Sequence, residues 1–183
     1  MPAKARLEFT VRYYECDPLG HANHAVYVNY FEMGRLEAMA DVGLPFSSVM
    51  KQGYAVVASD IFVQYKLPAL MEERVEVQSC IVQFRGARMT WQQELYRCSS
   101  GALLAQAVVN GAFTRSDGRP VRVPPSMRHL LETVYLPDAA WPPPYRRQVP
   151  RQAGAIKSTH APGAAHGRGG RRYSPPGRSP PPR

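Results

Sequence analysis

Tyr13-Tyr14-Glu15-Cys16-Asp17-Pro18-Leu19-Gly20-His21-Ala22-Asn23-His24 joins an alternating run to the first long helical pattern of the chain. Upstream, Leu7, Phe9, Val11 and Tyr13 alternate with Glu8, Thr10, Arg12 and Tyr14, the period of two expected of a half-buried strand. Asp17-Pro18-Leu19-Gly20 carries the residues of a type I turn: proline sets φ at the second position and the aspartate side chain bonds the turn backbone. Downstream, Asn23 is placed to cap a helix of about 18 residues running through Asp41, with Gly43 and Pro45 beyond its end. Val26, Tyr27, Val28, Tyr30, Phe31, Leu36, Met39 and Val42 spread over much of its circumference, which suits a helix laid on a sheet.

After Gly53 the character changes. Tyr54–Tyr65, Arg74–Phe84, Met89–Cys98 and Leu103–Thr114 read as strands, separated by Pro68, Gly86, Gly101 and Asp117-Gly118. Ser126–Val134 reads as a short closing helix. One strand, one long helix and four further strands predict an α+β fold, a curved antiparallel sheet with a helix laid on it.

Composition divides the chain at residue 136. Residues 1–136 hold 14 basic and 13 acidic residues, whereas residues 137–183 hold 9 basic residues, one acid (Asp138) and 11 of the 18 prolines. The net charge of +9 is therefore mostly the tail's, and it does not mark the body as a nucleic-acid binder. Residues 1–136 are read as one domain with its own core, and residues 137–183 as a disordered, Pro/Arg/Gly-rich extension too poor in apolar surface to fold. Its arginines are scattered without stacking aromatics, so it is read as an extension without a function of its own, the rival reading being an arm for anionic surfaces. Lys4, Arg6, Glu8 and Arg12 break any apolar leader, and no stretch reads as a membrane span. Cys16, Cys80 and Cys98 are odd in number and widely spaced, which predicts a reduced, cytoplasmic protein.

The connecting stretch is also the densest cluster of reactive groups. With Asn23 as the cap, the amides of His24, Ala25 and Val26 lack helical acceptors and face the mouth of the turn with the positive end of the helix dipole. Such donors suit a carbonyl oxygen that gains charge during acyl transfer. Asp17, across the turn, supplies a carboxylate that can attack or take a proton from water. A turn aspartate and a helix cap explain the same residues without chemistry, and spacing alone does not separate the two readings. Asp17, His21 and His24 make a weak metal set, and Cys16 lacks the surroundings of a reactive thiolate. Tyr27, Tyr30 and Phe31 read as core, with Tyr27 also able to line an acyl pocket; Glu32, Glu37 and Asp41 read as helix-face charges.

Asp17-x-x-Gly20, six residues and then Tyr27 resembles the active-site signature of the hotdog-fold thioesterases of the 4-hydroxybenzoyl-CoA type, including the YbgC-like acyl-CoA thioesterases. Gly20-His21-Ala22-Asn23-His24, Tyr27-Val28-Asn29-Tyr30-Phe31-Glu32-Met33-Gly34-Arg35 and Tyr65-Lys66-Leu67-Pro68-Ala69 are similar to further motifs of that family. The resemblance covers about residues 6–134. It implies a long central helix wrapped by an antiparallel sheet, homodimers that pair their sheets or homotetramers, and no cofactor or metal. It places Asp17 on the catalytic carboxylate, as nucleophile or general base, and His24 on the position whose backbone amide polarises the thioester carbonyl. Asn23 and Tyr27 fall beside the substrate. Arg85 and Arg88, flanking Gly86, stand where relatives place cations on coenzyme A phosphates, though an exposed hairpin carries such charges without a ligand. One departure is Glu72-Glu73, where the family usually has Gly-Asp.

The function expected is hydrolysis of an acyl-CoA, with an acyl-carrier protein as another donor. The alternative is a non-catalytic hotdog module that binds acyl-CoA or acyl carriers; a hotdog dehydratase, whose Asp and His are spaced differently, fits least. Aromatic, short and long acyl chains all suit this loop.

Overall fold

In the computed structural model, which describes residues 1–139, the alternating N-terminal run becomes β1 (Ala5–Thr10), with Leu7 and Phe9 turned inward and Arg6, Glu8 and Thr10 exposed. The long helix is α1 (Val26–Asp41), followed by α2 (Phe46–Lys51). Four strands come next: β2 (Tyr54–Tyr65), β3 (Arg74–Arg85), β4 (Arg88–Arg97) and β5 (Leu103–Arg115). A closing helix α3 (Pro125–Leu131) runs into 3-10 turns at Glu132–Val134 and Pro137–Ala139. The α+β order expected from the sequence holds, with the boundaries of β2 to β5 within a residue of expectation. The expected tail lies outside the described residues from position 140 onward.

All five strands lie in one antiparallel sheet in the order β1-β3-β4-β5-β2. Its register explains its two faces. Leu7, Val77, Leu95, Ala105 and Tyr65 stand in one row across the strands, and Val77, Leu95 and Ala105 are fully buried. One residue along, Arg6, Gln78, Glu94, Gln106 and Gln64 form the next row on the opposite face. That face is knitted by polar contacts: Lys4 pairs with Glu94, Arg6 with Glu76, and the Gln106 amide donates to Gln64 at 3.1 Å.

Helix α1 packs on the apolar face through Tyr27, Tyr30, Phe31, Gly34, Ala38 and Met39, a stripe with helical spacing. Fully buried residues such as Phe31, Ile81, Leu95 and Phe113 each contribute roughly 1.5–3 kcal/mol. Gly34 sets the depth of packing, since a Cβ there would stand 2.5 Å from Val77 Cγ1 and 2.9 Å from Ser79 Oγ. Beside it lies fully buried Gln93, whose Nε2 donates to Phe31 O and to Ser79 Oγ, both at 2.7 Å, while Arg35 donates to its Oε1 at 2.8 Å. Burial pulls the Arg35 pKa below its ordinary value.

Three local features differ from expectation. The alternation through Tyr13 and Tyr14 is not strand but a 3-10 turn, Tyr13–Glu15. The cause is Glu15, whose buried carboxylate accepts the Arg12 backbone N–H at 2.8 Å and the Tyr30 hydroxyl at 2.8 Å, leaving both tyrosines exposed. Helix α1 begins at Val26, with Ala25 at its N-cap position, so Asn23 does not cap it. The short α2, held by buried Val49, is too brief to leave an apolar periodicity. No helix among the described residues is long and apolar enough to cross a membrane.

Candidate active site

The Asp17–Gly20 turn forms as the residues dictate. The Gly20 N–H donates to Asp17 O at 3.0 Å, with Gly20 at φ +80°, a region open to glycine without strain. The Leu19 N–H donates to Asp17 Oδ1 at 2.9 Å, so one carboxylate oxygen is fixed by the turn itself. The other, Oδ2, lies 3.7 Å from His21 Nδ1, within ion-pair range but too long for a hydrogen bond. The Asp17 N–H donates to His21 O at 3.0 Å, and Cys16 bridges to Ala22, so both sides of the loop are tied.

Between this loop and α1 the backbone is pinned residue by residue. The Ala22 N–H donates to Ala69 O, the Asn23 N–H to Glu15 O and the Val26 N–H to Asn23 O. Asn23 Oδ1 accepts the Ala25 N–H at 3.0 Å. This corrects the expected cap. The asparagine closes a turn two residues long ahead of the helix, and it thereby uses two of the three amides that a cap at Asn23 would have left open. Among the described residues, the His24 N–H is the amide of this stretch that meets no protein acceptor.

A cavity of about 320 Å³ opens here, lined by Asp17, His21, His24, Tyr27, Tyr65 and Lys66, with Leu67 and Pro68 as an apolar wall. Tyr27 is buried, and its hydroxyl accepts the Ala69 N–H at 3.0 Å; burial raises its pKa. Tyr65 closes over the turn, donating its hydroxyl to His24 O at 2.9 Å and setting its ring edge-on to Tyr27 at 5.2 Å. The Cys16 thiol, donating to Arg12 O at 3.6 Å, is pushed up in pKa by burial and then by Glu15 and Asp17, which disfavours a thiolate.

The structure thus gathers Asp17, His24 and Tyr27 around one cavity and sets Asn23 behind it as the residue that shapes the turn. Arg85 and Arg88 are elsewhere in the chain. Arg88 lies opposite Ala112, which faces Val57, and the extended stretch from Val57 to Tyr65 is roughly 26 Å long. Tyr65 and Lys66 line the site, yet in the sequence they stand out only as part of a motif match, because only the folded sheet brings the end of β2 to the start of α1.

Glu72-Glu73 stand where the resemblance leads to an expectation of Gly-Asp. Glu72 adopts φ +63°, the left-handed region where glycine is at ease. Glu73 accepts the Leu70 N–H at 3.0 Å and pairs with Arg97.

A half-buried loop carboxylate, an unengaged amide at a helix start and a long helix on an antiparallel sheet coincide with a sequence match: residues 11–131 fit the profile of the thioesterase-like superfamily, and the chain belongs to it. Acyl-acyl carrier protein thioesterase ATL3 of the Arabidopsis thaliana chloroplast is 28% identical over 122 residues, 67% of this chain and 64% of that protein. The chain therefore spans just under two thirds of that relative's length. Acyl-CoA thioester hydrolase YbgC from Escherichia coli O157:H7 is 28% identical over 99 residues, 54% of this chain and 73% of that protein. A DHNA-CoA thioesterase from Staphylococcus aureus has the same fold, with a TM-score of 0.66 over 69% of this chain and 87% of its own at 24% identity. The expected hotdog fold is borne out.

Proposed function

We propose that this chain hydrolyses acyl thioesters of coenzyme A to the free acid and thiol. The observation that carries the reading is the meeting, in one cavity, of Asp17 with a His24 amide that has no acceptor among the described residues. A thioester carbonyl seated against that N–H gains a hydrogen bond as its oxygen becomes anionic, an interaction worth roughly 3–4 kcal/mol in a good site. Asp17 Oδ2 then follows one of two routes: it attacks the carbonyl carbon, expelling the thiolate and leaving a mixed anhydride that water hydrolyses to the free acid and Asp17, or it takes a proton from a water that attacks the carbon as the thiolate leaves. His21, beside Oδ2, is in reach to steady the carboxylate.

Coenzyme A is the thiol favoured by the YbgC relative; the chloroplast relative favours an acyl-carrier protein as a second donor. A homodimer is supported by β2, which pairs on one side only, with β5, and exposes Val57, Ile61 and Tyr65; pairing of such dimers gives a tetramer. In a dimer joined along β2, Arg85 and Arg88 would serve the partner's substrate rather than their own. Free Cys16, Cys80 and Cys98 support a reducing, cytoplasmic setting.

The test is thiol release from acyl-CoAs, benzoyl through palmitoyl, and from an acyl-carrier protein, by wild type and Asp17→Asn. Release by wild type and its loss in the variant is the expected result. Tight acyl-CoA binding without release by wild type would replace this reading with the non-catalytic module.

A further inference from the structure

The backbone that presents the His24 amide is held by an element far away in sequence. The peptide unit on the N-terminal side of His24 carries Asn23 O, which accepts the Val26 N–H at 2.9 Å, and the His24 N–H itself. The unit on the C-terminal side carries His24 O and the Ala25 N–H, and the latter is bound to Asn23 Oδ1 at 3.0 Å. Peptide units are rigid planes, so the direction of the His24 N–H depends on how both planes are fixed.

Asn23 fixes one end of each. The remaining group, His24 O, lies one residue too early to join the helical ladder: the Val28 N–H goes to Ala25 O at 3.2 Å. Among the described residues, the partner of His24 O is the Tyr65 hydroxyl, at 2.9 Å. Tyr65 is the last residue of β2 and pairs with Ala105 on β5, and its ring rests edge-on against buried Tyr27. The hydroxyl is therefore placed by the sheet and by α1, not by the loop it grips.

We propose that Tyr65 is a positioning residue that locks the His24–Ala25 peptide unit, and through it the His24 amide, in the orientation that receives the thioester carbonyl. The proposal rests on the thioesterase reading of that amide. Losing the hydroxyl leaves Asp17, the cavity wall and the ring contact in place but lets the second plane swing. Ground-state binding through the rest of the thioester should change little, whereas the bond that strengthens as the oxyanion forms should suffer.

The experiment uses the full chain with Tyr65→Phe, which keeps the ring, beside Asp17→Asn. Two readouts are taken: steady-state thiol release from an acyl-CoA that wild type cleaves, and the position and exchange rate of the His24 amide signal in a 15N–1H spectrum. The expected result for Tyr65→Phe is a kcat lowered about tenfold, the scale of one hydrogen bond, with KM within about twofold, an unchanged melting temperature and a shifted, faster-exchanging His24 amide. An unmoved His24 amide overturns the proposal, as does a moved amide with unchanged kcat or a fall in kcat that comes with a lowered melting temperature. If Asp17→Asn is as active as wild type, or wild type cleaves no thioester, the reading of the site fails, and the amide signal alone then decides whether Tyr65 holds His24.

Discussion

Helix α1 is anchored differently at its middle and at its start. In the middle, at Gly34, polar groups are saturated: Gln93 spends its amide on Phe31 O and Ser79 Oγ and its carbonyl on Arg35. There the helix comes so close that no side chain fits. At the start, Asn23, Glu15, Ala69 and Tyr65 consume the surrounding amides and the His24 carbonyl, and the His24 N–H is left over. Both regions are rigid, but the first is closed on itself and the second is rigid around an unused donor. A fixed donor that needs no reorganisation is what stabilises developing charge best. On the proposed thioesterase reading, the contrast divides stability from chemistry along one helix.

Replacing Asp17 should change turnover most and leave folding untouched. In Asp17→Asn the side-chain oxygen still accepts the Leu19 N–H that holds the turn, so the melting temperature should stay put while kcat for thiol release falls about 10²–10⁴-fold. Gly34→Ala is its converse. The new methyl meets Val77 Cγ1 at 2.5 Å, and Val77 is fully buried and cannot step aside. Urea unfolding should show a loss of about 1–3 kcal/mol, with kcat preserved at temperatures where the protein stays folded. A Gly34→Ala protein as stable as wild type would mean that the helix rides higher on the sheet than described here.

How much of this contrast is legible in the sequence depends on how local its causes are. The turn at Asp17–Gly20, the strands and the helix body announce themselves because proline, glycine and apolar periodicity act over a few residues. The start of α1 does not. Asn23 looks like a cap, yet its oxygen goes to Ala25 because the chain has one more turn to make before the helix. Glu15 looks like a surface charge until Tyr30, on the next element, is known to donate to it. Tyr65 reaches His24 across 41 positions of sequence, a contact that only the sheet order creates.

Glu15 and Tyr30 tie the loop to α1 through a buried hydrogen bond, and that bond responds to pH. Burial, and then the hydrogen bond to Glu15, hold the Tyr30 phenol well above its ordinary pKa of 10.0. The folded chain therefore keeps a proton that the unfolded chain releases above about pH 10. The resulting stabilisation is complete below that pH and is lost as the pH climbs from there toward the folded value. Tyr30→Phe should cost about 1–2 kcal/mol at neutral pH, because Glu15 loses a buried donor. It should also flatten the alkaline decline in melting temperature. An equally steep decline in the variant would assign it to other tyrosines, with Tyr96, pushed up to about 12 chiefly by burial, the first to examine.

The smallest effect concerns the turn entering β3, where the chain holds a non-glycine residue at positive φ. Glu72 sits at φ +63°, and its N–H donates to Val11 O at 2.9 Å, binding the turn to the residue that follows β1, ahead of the Asp17 loop. Its exposed side chain makes no hydrogen bond or ion pair among the described residues, so nothing the side chain does offsets the strain. A left-handed conformation costs an L-residue about 1–2 kcal/mol, while glycine gives back about 0.5–1 kcal/mol through its freer unfolded chain. Glu72→Gly should therefore raise stability by about 0.5–1 kcal/mol, a shift of about 1–4 °C in melting temperature, with kcat unchanged. Glu72→Ala removes the same carboxylate but keeps the Cβ, so it should leave stability near that of wild type. If alanine stabilises as much as glycine, the carboxylate and not the backbone was the source of strain. If neither does, the positive φ is tolerated because the bond to Val11 already holds the turn, and the loop's rigidity is supplied from this side as firmly as from Tyr65.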